Sequence, residues 1–280
     1  MNSFSSGLYI VSTPIGNLDD ITLRSIEVLK KSDIILCEDT RRTLKLLNHF
    51  NIKKKLISYH KFNEIKELKN IIQHLKEGKI LSLVSDAGTP TLSDPGMILV
   101  NKCIESDIRI IPIPGPSSIT ASMSIAGFDD KFLFYGFLPK KKNELSKVLK
   151  SIKDLNYSLI FFVSGIKINF YLDLFKKFFL DRDILIAREI TKIHETFYRN
   201  SVKSIEPFKG ALKGELTIVI SKKYNNNKNI SDEDIKKLSI KYLKKYSLKD
   251  AADLIAKNKE VSRKRVYGIC LEIKNDKKNY

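Results

Sequence analysis

The sequence predicts an α/β protein with two sheet-containing domains and a helical tail, and three observations lead to this prediction. The chain has 280 residues, more than one ordinary domain needs. Short β-branched runs alternate with amphipathic stretches through the first half, which is typical of a parallel sheet covered by helices on both faces. A polar, asparagine-rich run then precedes a last segment whose apolar residues recur with helical periodicity.

The first predicted domain, residues 1–116, is a parallel, doubly wound α/β unit. Its predicted strands are Gly7–Ser12, Asp33–Cys37, Leu56–Tyr59, Ile80–Val84 and Arg109–Ile113, and its predicted helices are Asp20–Lys31, Asn63–Glu77 and Pro95–Ser106. The second of these helices is expected to stop at Gly78, because glycine is the usual residue after a helix C-terminus.

The second predicted domain, residues 117–223, contains a mixed sheet. Its predicted strands are Phe132–Tyr135, Leu159–Val163, Ile184–Ala187 and Leu216–Ile220, and its predicted helices are Ser117–Ala126, Lys142–Asp154 and Lys167–Phe179. No helical pattern separates the last two strands, which favours a partly antiparallel sheet. Residues 224–230 are predicted to be a linker because the stretch Lys222–Asn229 (KKYNNNKN) is polar, low in complexity and free of apolar anchors.

The last segment, residues 231–280, is predicted to be a basic helical domain. Its predicted helices are Ser231–Tyr246, Leu248–Lys257 and Ser262–Ile273, and the short connection between the last two is typical of a helix-turn-helix. The formal net charge of the chain is +18, and about half of it lies beyond Ser221. Part of this charge reflects a general abundance of lysine, but a basic tail favours a polyanionic partner such as RNA.

The composition also bounds the protein class. The cysteines Cys37, Cys103 and Cys270 are scattered and odd in number, as expected for free thiols in a reducing compartment. Neither they nor the histidines have metal-ligand spacing, so no metal site is predicted. With no long apolar run and no signal-peptide pattern, we expect a cytoplasmic protein without a membrane span.

Four loops at predicted strand ends are the places to seek chemistry, because ligands of parallel α/β sheets bind there. These loops are Ser12–Leu18, Ser85–Pro90, Pro112–Ser118 and Glu38–Arg42. The first three are stiffened by proline and expose main-chain groups at glycine, although each taken alone also suits an ordinary turn. None of them matches the phosphate-loop or dinucleotide-binding glycine patterns.

The fourth loop, Glu38–Arg42, joins two carboxylates to two guanidinium groups. One interpretation is a self-neutralising ion-pair cluster at the surface. The other is that Arg41 or Arg42 binds a phosphate while an acid orients a hydroxyl group. The residues alone leave both interpretations open.

Together these loops form a recognisable series. The segments in order are LYIVSTPIGNLDDITLRSIEVL, CEDTRRT, SDAGTPTLSDPG, PIPGPSSITAS, YGFLP, Ala187–Lys192, His194–Thr196 and Lys213–Thr217. The series, from about Gly7 to Ile220, resembles the bacterial ribosomal RNA small-subunit methyltransferase I family, a branch of the tetrapyrrole methylases. It departs from the family pattern at Val163 and Ile166, where relatives tend to read FYES followed by a basic pair.

The resemblance implies the two-domain tetrapyrrole-methylase fold, with S-adenosylmethionine as the methyl donor in the cleft between the two α/β domains. It further implies 2′-O-methylation of a cytidine ribose in the decoding region of small-subunit ribosomal RNA, acting on the RNA or the 30S subunit. A homodimer is expected for the same reason. The residues expected at the donor are Pro14, Gly16, Asp86, Gly88, Thr89, Pro90, Pro114, Gly115, Pro116, Ser117 and Ser118.

The remaining site predictions follow from the chemistry of a ribose acceptor. A ribose hydroxyl is a poor nucleophile near neutral pH, so a base or hydrogen-bond acceptor would help, and we expect Glu38, Asp39 or Glu189, in that order. Phosphates of the RNA call for cationic side chains. The residues expected to hold them are Arg41, Arg42, Lys167, Arg188, Lys192, Arg263, Lys264 and Arg265.

Two other functions remain open at this stage. One is a methyltransferase of the same fold that acts on a tetrapyrrole or on a protein side chain. The other is a non-catalytic RNA-binding or ribosome-assembly factor. The basic tail and the Glu38–Arg42 loop favour RNA over the first, and the intact loops Pro14–Asn17 and Ser85–Pro90 argue against the second.

Overall fold

A computed structural model describes residues 4–223, 231–259 and 261–276 of the chain. The chain divides into two compact units, Met1–Lys223 and Tyr224–Tyr280. The predicted linker, residues 224–230, lies outside the described residues. The predicted boundary near residue 116, within the larger unit, stays a prediction.

The first sheet of the larger unit is parallel throughout. Its strands are β1 (Gly7–Val11), β2 (Ile34–Cys37), β3 (Lys55–Ser58), β4 (Ile80–Val84) and β5 (Ile110–Ile113), in the spatial order β3-β2-β4-β1-β5. Pro112 lacks a backbone N–H, and its strand β5 lies at an edge of the sheet, where proline is tolerated. Because every neighbouring pair in this sheet is parallel, the carboxyl ends of all five strands lie at the same edge.

Helices cover both faces of this sheet, as a doubly wound fold requires. They are α1 (Leu23–Lys31), α2 (Thr40–His49), α3 (Glu64–Lys76) and α4 (Met97–Glu105). The buried side chains of α1 and α2 pack with β-strand residues such as Val11 and Ile35 in one core cluster. Those of α3 and α4 pack with residues such as Leu36 and Leu83 in another. The predicted α/β class and doubly wound sheet are confirmed.

Two local predictions for this domain were incomplete. Helix α2 was not predicted: Glu38–Arg42 was expected to be a loop, whereas the structure begins a helix at Thr40. The Asp39 side chain accepts the N–H of Arg41 and so caps this helix, and Leu46 and Leu47 bury its apolar face. Helix α1 begins at Leu23 rather than Asp20, because the Thr22 side chain caps it by accepting the N–H of Ser25.

The second sheet of the larger unit is mixed. Its strands are β6 (Phe132–Phe137), β7 (Ser158–Ser164), β8 (Asp183–Arg188), β9 (Thr196–Ser201) and β10 (Glu215–Ile220), in the order β6-β7-β10-β8-β9. Strands β6 and β7 are parallel, and the other neighbouring pairs are antiparallel. The partly antiparallel arrangement was predicted. Strand β9 was not, because its sequence TFYRNS is polar and only half buried at the sheet edge.

Helices α6 (Lys142–Ile152) and α7 (Ile168–Phe178) pack on one face of the second sheet, and α5 (Ser118–Ala126) packs on the other. The cluster around α5 includes Ile15, which belongs to the loop after β1 of the first sheet. Loops of the first sheet thus meet the second sheet on the side of α5.

The smaller unit is helical in its described residues. Helices α8 (Asp232–Tyr242), α9 (Leu248–Lys259) and α10 (Arg263–Asp276) enclose a core that contains Ile235, Ile255, Val266 and Cys270. Across the ranges that the structure describes, no helix combines the length and the apolar content that crossing a membrane requires.

Candidate active site

The two loops after β1 and β4 are joined along the carboxyl edge of the first sheet. Thr13 and Gly88 exchange backbone hydrogen bonds of 2.9 and 3.0 Å, and the Thr13 hydroxyl donates to the Ser85 carbonyl at 3.1 Å. The hydroxyls of Ser12 and Thr89 lie 3.1 Å apart. The predicted loops Ser12–Leu18 and Ser85–Pro90 therefore form one continuous wall.

The loop after β5 packs against the same wall. A Cβ atom at Gly115 would lie 2.8 Å from the Cβ of Ser12, which is buried, so only glycine permits this approach. Gly88 has a φ of +77°, a conformation that other residues rarely adopt, and a Cβ there would face Ile15 and the Pro116 carbonyl. Three of the four predicted loops thus lie together, and the fourth adjoins them because the N–H of Asp39 donates to Oδ1 of Asp86 at 3.1 Å.

A turn that follows strand β8 of the second sheet packs against the first loop. The N–H of Asn17 donates to the Thr191 hydroxyl at 3.0 Å. Gly16 lies so close to this turn that an added Cβ would fall 2.5 Å from Cγ of Lys192. Glu189 and Thr191 both have positive φ, at 50° and 63°. A sharp turn at the end of β8 therefore packs closely against a glycine of the loop after β1.

A cavity of about 640 Å³ lies between these loops and the second sheet. Predicted donor-site residues that line it are Asp86, Gly88, Thr89, Ser117 and Ser118. The second sheet adds an apolar wall that includes Leu138, Phe162, Val163, Ala187 and Leu216. Its walls are thus made mainly of backbone-rich loops and apolar side chains.

A smaller cavity of about 260 Å³ adjoins it. Predicted residues that line this second cavity are Pro14, Gly16, Arg42, Asp86 and Lys192, of which the last three line both cavities. Predicted residues of the larger unit that line neither are Glu38, Asp39, Arg41, Pro90, Pro114, Gly115, Pro116, Lys167 and Arg188. Of the four predicted donor-site residues in this set, Pro90 is buried, Pro114 and Gly115 are exposed and Pro116 is half-buried.

The acids predicted first as proton acceptors are poorly placed for that role. The carboxylate of Asp39 accepts from Nε and Nη2 of Arg41 at 3.1 and 2.8 Å, and these bonds hold its pKa well below the usual range. Burial, followed by the charge of Asp86, raises the pKa of Glu38. Neither residue faces a cavity.

Glu189 lines the larger cavity, but its carboxylate is already engaged. Its Oε1 accepts from Lys192 Nζ at 3.0 Å and from the N–H of Glu215 at 2.8 Å. Burial alone would raise its pKa, but these hydrogen bonds outweigh burial and the pKa is lowered. Lys192 Nζ also lies 3.0 Å from Glu215; burial alone would lower the pKa of the lysine, but the two carboxylates together outweigh burial and raise it.

Asp94 is a cavity residue that the sequence analysis did not single out. It lines the larger cavity, and burial, together with the nearby charge of Glu38, raises its pKa to about 6. A hydrogen bond from Ser85 acts in the opposite direction. The only signal in the sequence was its place in the SDPG continuation of the second loop.

Comparison with known proteins decides the family. Residues 7–206 match the family model described as "Tetrapyrrole (Corrin/Porphyrin) Methylases". A "Ribosomal RNA small subunit methyltransferase I" from Mesomycoplasma conjunctivae is 46% identical over 216 residues, which is 76% of this chain and 90% of that protein. One from Buchnera aphidicola subsp. Acyrthosiphon pisum is 40% identical over 280 residues, covering 95% and 97%. The chain belongs to the ribosomal RNA small subunit methyltransferase I family of tetrapyrrole methylases.

Solved structures agree on the fold of this methyltransferase. The methyltransferase CobJ matches with a TM-score of 0.59 and 16% identity, over 78% of this chain and 95% of that one. A uroporphyrin-III-C-methyltransferase from Thermus thermophilus matches with a TM-score of 0.53 and 15% identity, over 76% and 94%. At these identities the likeness concerns the fold alone.

Of the two positions expected to depart from the family pattern, one lies at the larger cavity. Val163 lines that cavity and is only 4% exposed, whereas Ile166 is 75% exposed and lines neither cavity. A valine at position 163 adds an apolar patch to the wall. Lys167 is exposed but also lies outside both cavities.

The basic residues predicted for RNA differ in how strongly they are engaged. Arg41 is held by Asp39, and Nε of Arg188 donates to the Lys213 carbonyl at 2.8 Å. Arg42 lies 3.5 Å from Asp86, a looser contact. In the helical unit, Arg263 pairs with Asp253, and Arg265 lies 2.7 Å from Asp232. Lys264 is exposed and has no ion pair within the described ranges.

No group of three or more histidine, cysteine, aspartate or glutamate side chains in the described part of the chain is arranged to hold a metal ion. The cysteines Cys37, Cys103 and Cys270 are free and buried. Burial raises the pKa of the Cys103 thiol to about 11, so it stays protonated near neutral pH.

Proposed function

We propose that this methyltransferase uses S-adenosylmethionine to methylate the 2′-hydroxyl of a cytidine ribose in the decoding region of small-subunit ribosomal RNA. The observation that carries the proposal is the pair of adjoining cavities. The larger is lined mainly by loops and apolar side chains, and the smaller is lined by Arg42, Lys45 and Lys192, of which Lys45 does not reach the larger. Such a pair provides one place for a donor and another for an anionic acceptor.

The larger cavity suits the donor in size and in chemistry. Its volume of about 640 Å³ lies within the usual range for cofactor sites. Asp86, Gly88, Thr89, Ser117 and Ser118 would hold the donor through backbone groups, hydroxyls and one carboxylate. When bound, the donor supplies an electrophilic methyl group on a positively charged sulfonium. A cavity that contains the carboxylates of Asp86 and Asp94 is compatible with that charge.

The protein must also receive the proton that the ribose hydroxyl loses. We assign this role to a carboxylate oxygen of Asp94 rather than to Glu38, Asp39 or Glu189. Asp94 lines the larger cavity, and a pKa of about 6 leaves it ionised but basic near neutral pH. The three acids predicted first are either outside the cavity or held by hydrogen bonds.

The direct experiment combines purified protein, labelled S-adenosylmethionine and 30S subunits from cells that lack the modification. We expect label in the small-subunit RNA, in a dinucleotide that resists alkaline cleavage because its 2′-oxygen is methylated. Parallel reactions with a free tetrapyrrole and with ribosomal protein test the other acceptors. Absence of label from RNA, or alkali-labile label, would contradict the proposal.

The helical unit is proposed to hold RNA. It carries much of the net charge of the chain, and Lys264 is exposed at the start of α10. Deletion after Lys223 preserves the ion pair between Lys222 and Asp129 in the larger unit, whose atoms are 2.6 Å apart. We expect this truncation to flatten the salt dependence of RNA binding while donor affinity is retained. An unchanged salt slope would contradict the role.

We also propose that the protein is a homodimer that works in the cytoplasm, where ribosomal subunits are made. Both statements rest on the family resemblance. Light scattering of the purified protein at several concentrations tests the first. Fractionation of cells that express a tagged chain tests the second.

A further inference from the structure

The smaller cavity has a different wall from the larger one. It is formed by the loop after β1, by the loop after β4 and by helix α2, and Lys192 and Glu215 complete the lining on the side of the second sheet. Side chains of α2 that line it include Arg42, Thr43, Lys45 and Leu46. Lys45 was not among the residues predicted from the sequence, because the helix that carries it was not predicted.

Arg42 and Lys45 are three residues apart on α2, a spacing that places two side chains on the same face of a helix. Both line the smaller cavity. Lys45 is exposed and has no ion-pair partner among the described residues. Within the described residues, the one ion pair of Arg42 is its 3.5 Å contact with Asp86. The smaller cavity therefore has two cationic groups that are available to bind an anion.

Two other cations at this edge of the sheet, Arg41 and Lys192, are already neutralised. Arg41 is bound by both oxygens of Asp39. Lys192 lies between two carboxylates, each at 3.0 Å. An anion that enters here consequently meets Arg42 and Lys45 as the available positive charges.

We propose that the smaller cavity receives the sugar-phosphate of the acceptor nucleotide, with Lys45 and Arg42 on its phosphate. This inference rests on the proposed function and specifies how the RNA is seated. The volume of about 260 Å³ is too small for a typical cofactor and suits one sugar-phosphate unit. Guanidinium and ammonium groups on one helix face suit a phosphate, the first as a fork and the second as a point charge.

The two cavities share part of their wall, so a ligand in one lies next to a ligand in the other. Ile15, Asp86 and Ala87 line both cavities, so ligands in the two cavities contact the same side chains. Asp86 is fixed there because its Oδ1 accepts the N–H of Asp39 at 3.1 Å. A sugar held by its phosphate in the smaller cavity is thereby directed toward the donor cavity.

The test compares Lys45→Gln with Lys69→Gln, a matched loss of one charge from an exposed position on α3 that lines neither cavity. Initial rates are measured against 30S subunits at several salt concentrations, with labelled S-adenosylmethionine. Donor affinity is measured separately by calorimetry on the full chain. We expect Lys45→Gln to raise KM for 30S about tenfold and to lower the salt slope by about one phosphate contact. Donor affinity stays unchanged, and Lys45→Arg restores most of the loss.

The outcomes separate this inference from the proposed function. If the unaltered protein labels RNA but Lys45→Gln behaves like Lys69→Gln, the inference is wrong and the proposed function stands. If Lys45→Gln weakens donor binding as much as it affects 30S, the smaller cavity belongs to the donor and the inference is again wrong. If the unaltered protein puts no label into RNA, the proposed function itself is wrong.

Discussion

Thr13 and Gly88 exchange two backbone hydrogen bonds, of 2.9 and 3.0 Å, and thereby join the loops that leave strands β1 and β4. The bridge is possible because Gly88 adopts a φ of +77°. It is adjacent to both cavities, since Gly88 lines the larger and Thr13 the smaller. The relative position of the two cavities thus depends on the backbone at one glycine.

Gly88→Ala is therefore expected to weaken donor binding. The new Cβ would meet Ile15 at 3.4 Å, an ordinary contact, so strain at positive φ is the main cost, about 1 kcal/mol. Because the strained residue lines the proposed donor cavity, relaxation of the loop should raise the Kd for S-adenosylmethionine about tenfold, equivalent to about 1.4 kcal/mol. Isothermal calorimetry measures this change.

Gly78→Ala is the matched control. Gly78 has a φ of +80°, has no atom within 4 Å of an added Cβ, and lies outside both cavities. We expect the same stability cost of about 1 kcal/mol but unchanged donor affinity. Equal donor affinities for the two variants would show that the Gly88 backbone does not shape the donor site.

The raised pKa of Asp94 predicts that the stability of the protein depends on pH. Its pKa is raised from 3.8 to about 6, mainly by burial, so the folded chain binds this proton more tightly than the unfolded chain. Ionisation of Asp94 therefore destabilises the fold as pH rises from about 4 to about 6, and the full cost remains above that range. Asp94→Asn removes this cost, which is on the order of 2–3 kcal/mol above pH 6.

Urea unfolding at about pH 4.5 and about pH 7.5 tests the sign of this effect. We expect Asp94→Asn to stabilise the protein more at the higher pH, while the exposed control Asp181→Asn shows no such difference. The proposed role as proton acceptor adds a second expectation: methyl transfer by Asp94→Asn is slow at every pH. An equal gain in stability at both pH values would contradict the raised pKa.

Most of the fold could be predicted from the sequence because its signals are local. Runs such as Ile80–Val84 are apolar enough to mark buried strands, and Gly78 marks the end of α3. Helix α2 was missed because its first turn, Thr40–Arg42, carries charges that favour a loop interpretation. Strand β9 was missed because an edge strand needs only one hydrogen-bonded neighbour and little burial.

The loops of the site could be predicted from the sequence. Which of its charged groups are already engaged by partners could not. Glycine and proline restrict the backbone locally, so the loops around Gly88 and Gly115 could be named in advance. Whether a carboxylate is available depends on its partners in space. Glu189 is engaged by Lys192 and by the N–H of Glu215, and no sequence pattern reveals the second contact. The raised pKa of Asp94 likewise depends on its burial in the fold, which no sequence pattern reveals.

Substitution of Lys192 distinguishes a role inside the protein, as the partner of two carboxylates, from a role in binding RNA. Its Nζ lies 3.0 Å from both Glu189 and Glu215, so its removal leaves two carboxylates without their shared cation. We expect Lys192→Gln to lower stability by about 1–2 kcal/mol and to weaken donor binding, because Glu189 lines the donor cavity. The salt slope of RNA binding should stay close to that of the exposed control Lys209→Gln. A slope reduced as much as in Lys45→Gln would instead show that Lys192 contacts phosphate.

Arg182 is a buried cation. Among the described residues, no carboxylate lies within ion-pair distance of its guanidinium. It is only 2% exposed, and its guanidinium donates to four carbonyls, at distances of 2.6 to 3.3 Å. Burial lowers its pKa, although the charge of Asp154 opposes this. The carbonyls belong to Lys153, Leu155, Tyr157 and Ser221. The guanidinium thus joins the end of α6 to the end of β10.

Arg182→Met should consequently lower the free energy of unfolding by about 3 kcal/mol, because it leaves buried carbonyls without a donor. Arg182→Lys should restore little, since an ammonium group cannot reproduce the planar fork that reaches four acceptors. Urea unfolding followed by far-ultraviolet circular dichroism measures both, with the exposed Lys150→Met on α6 as the control. Full stability in Arg182→Lys would mean that the charge, rather than the shape of the guanidinium, holds these two elements together.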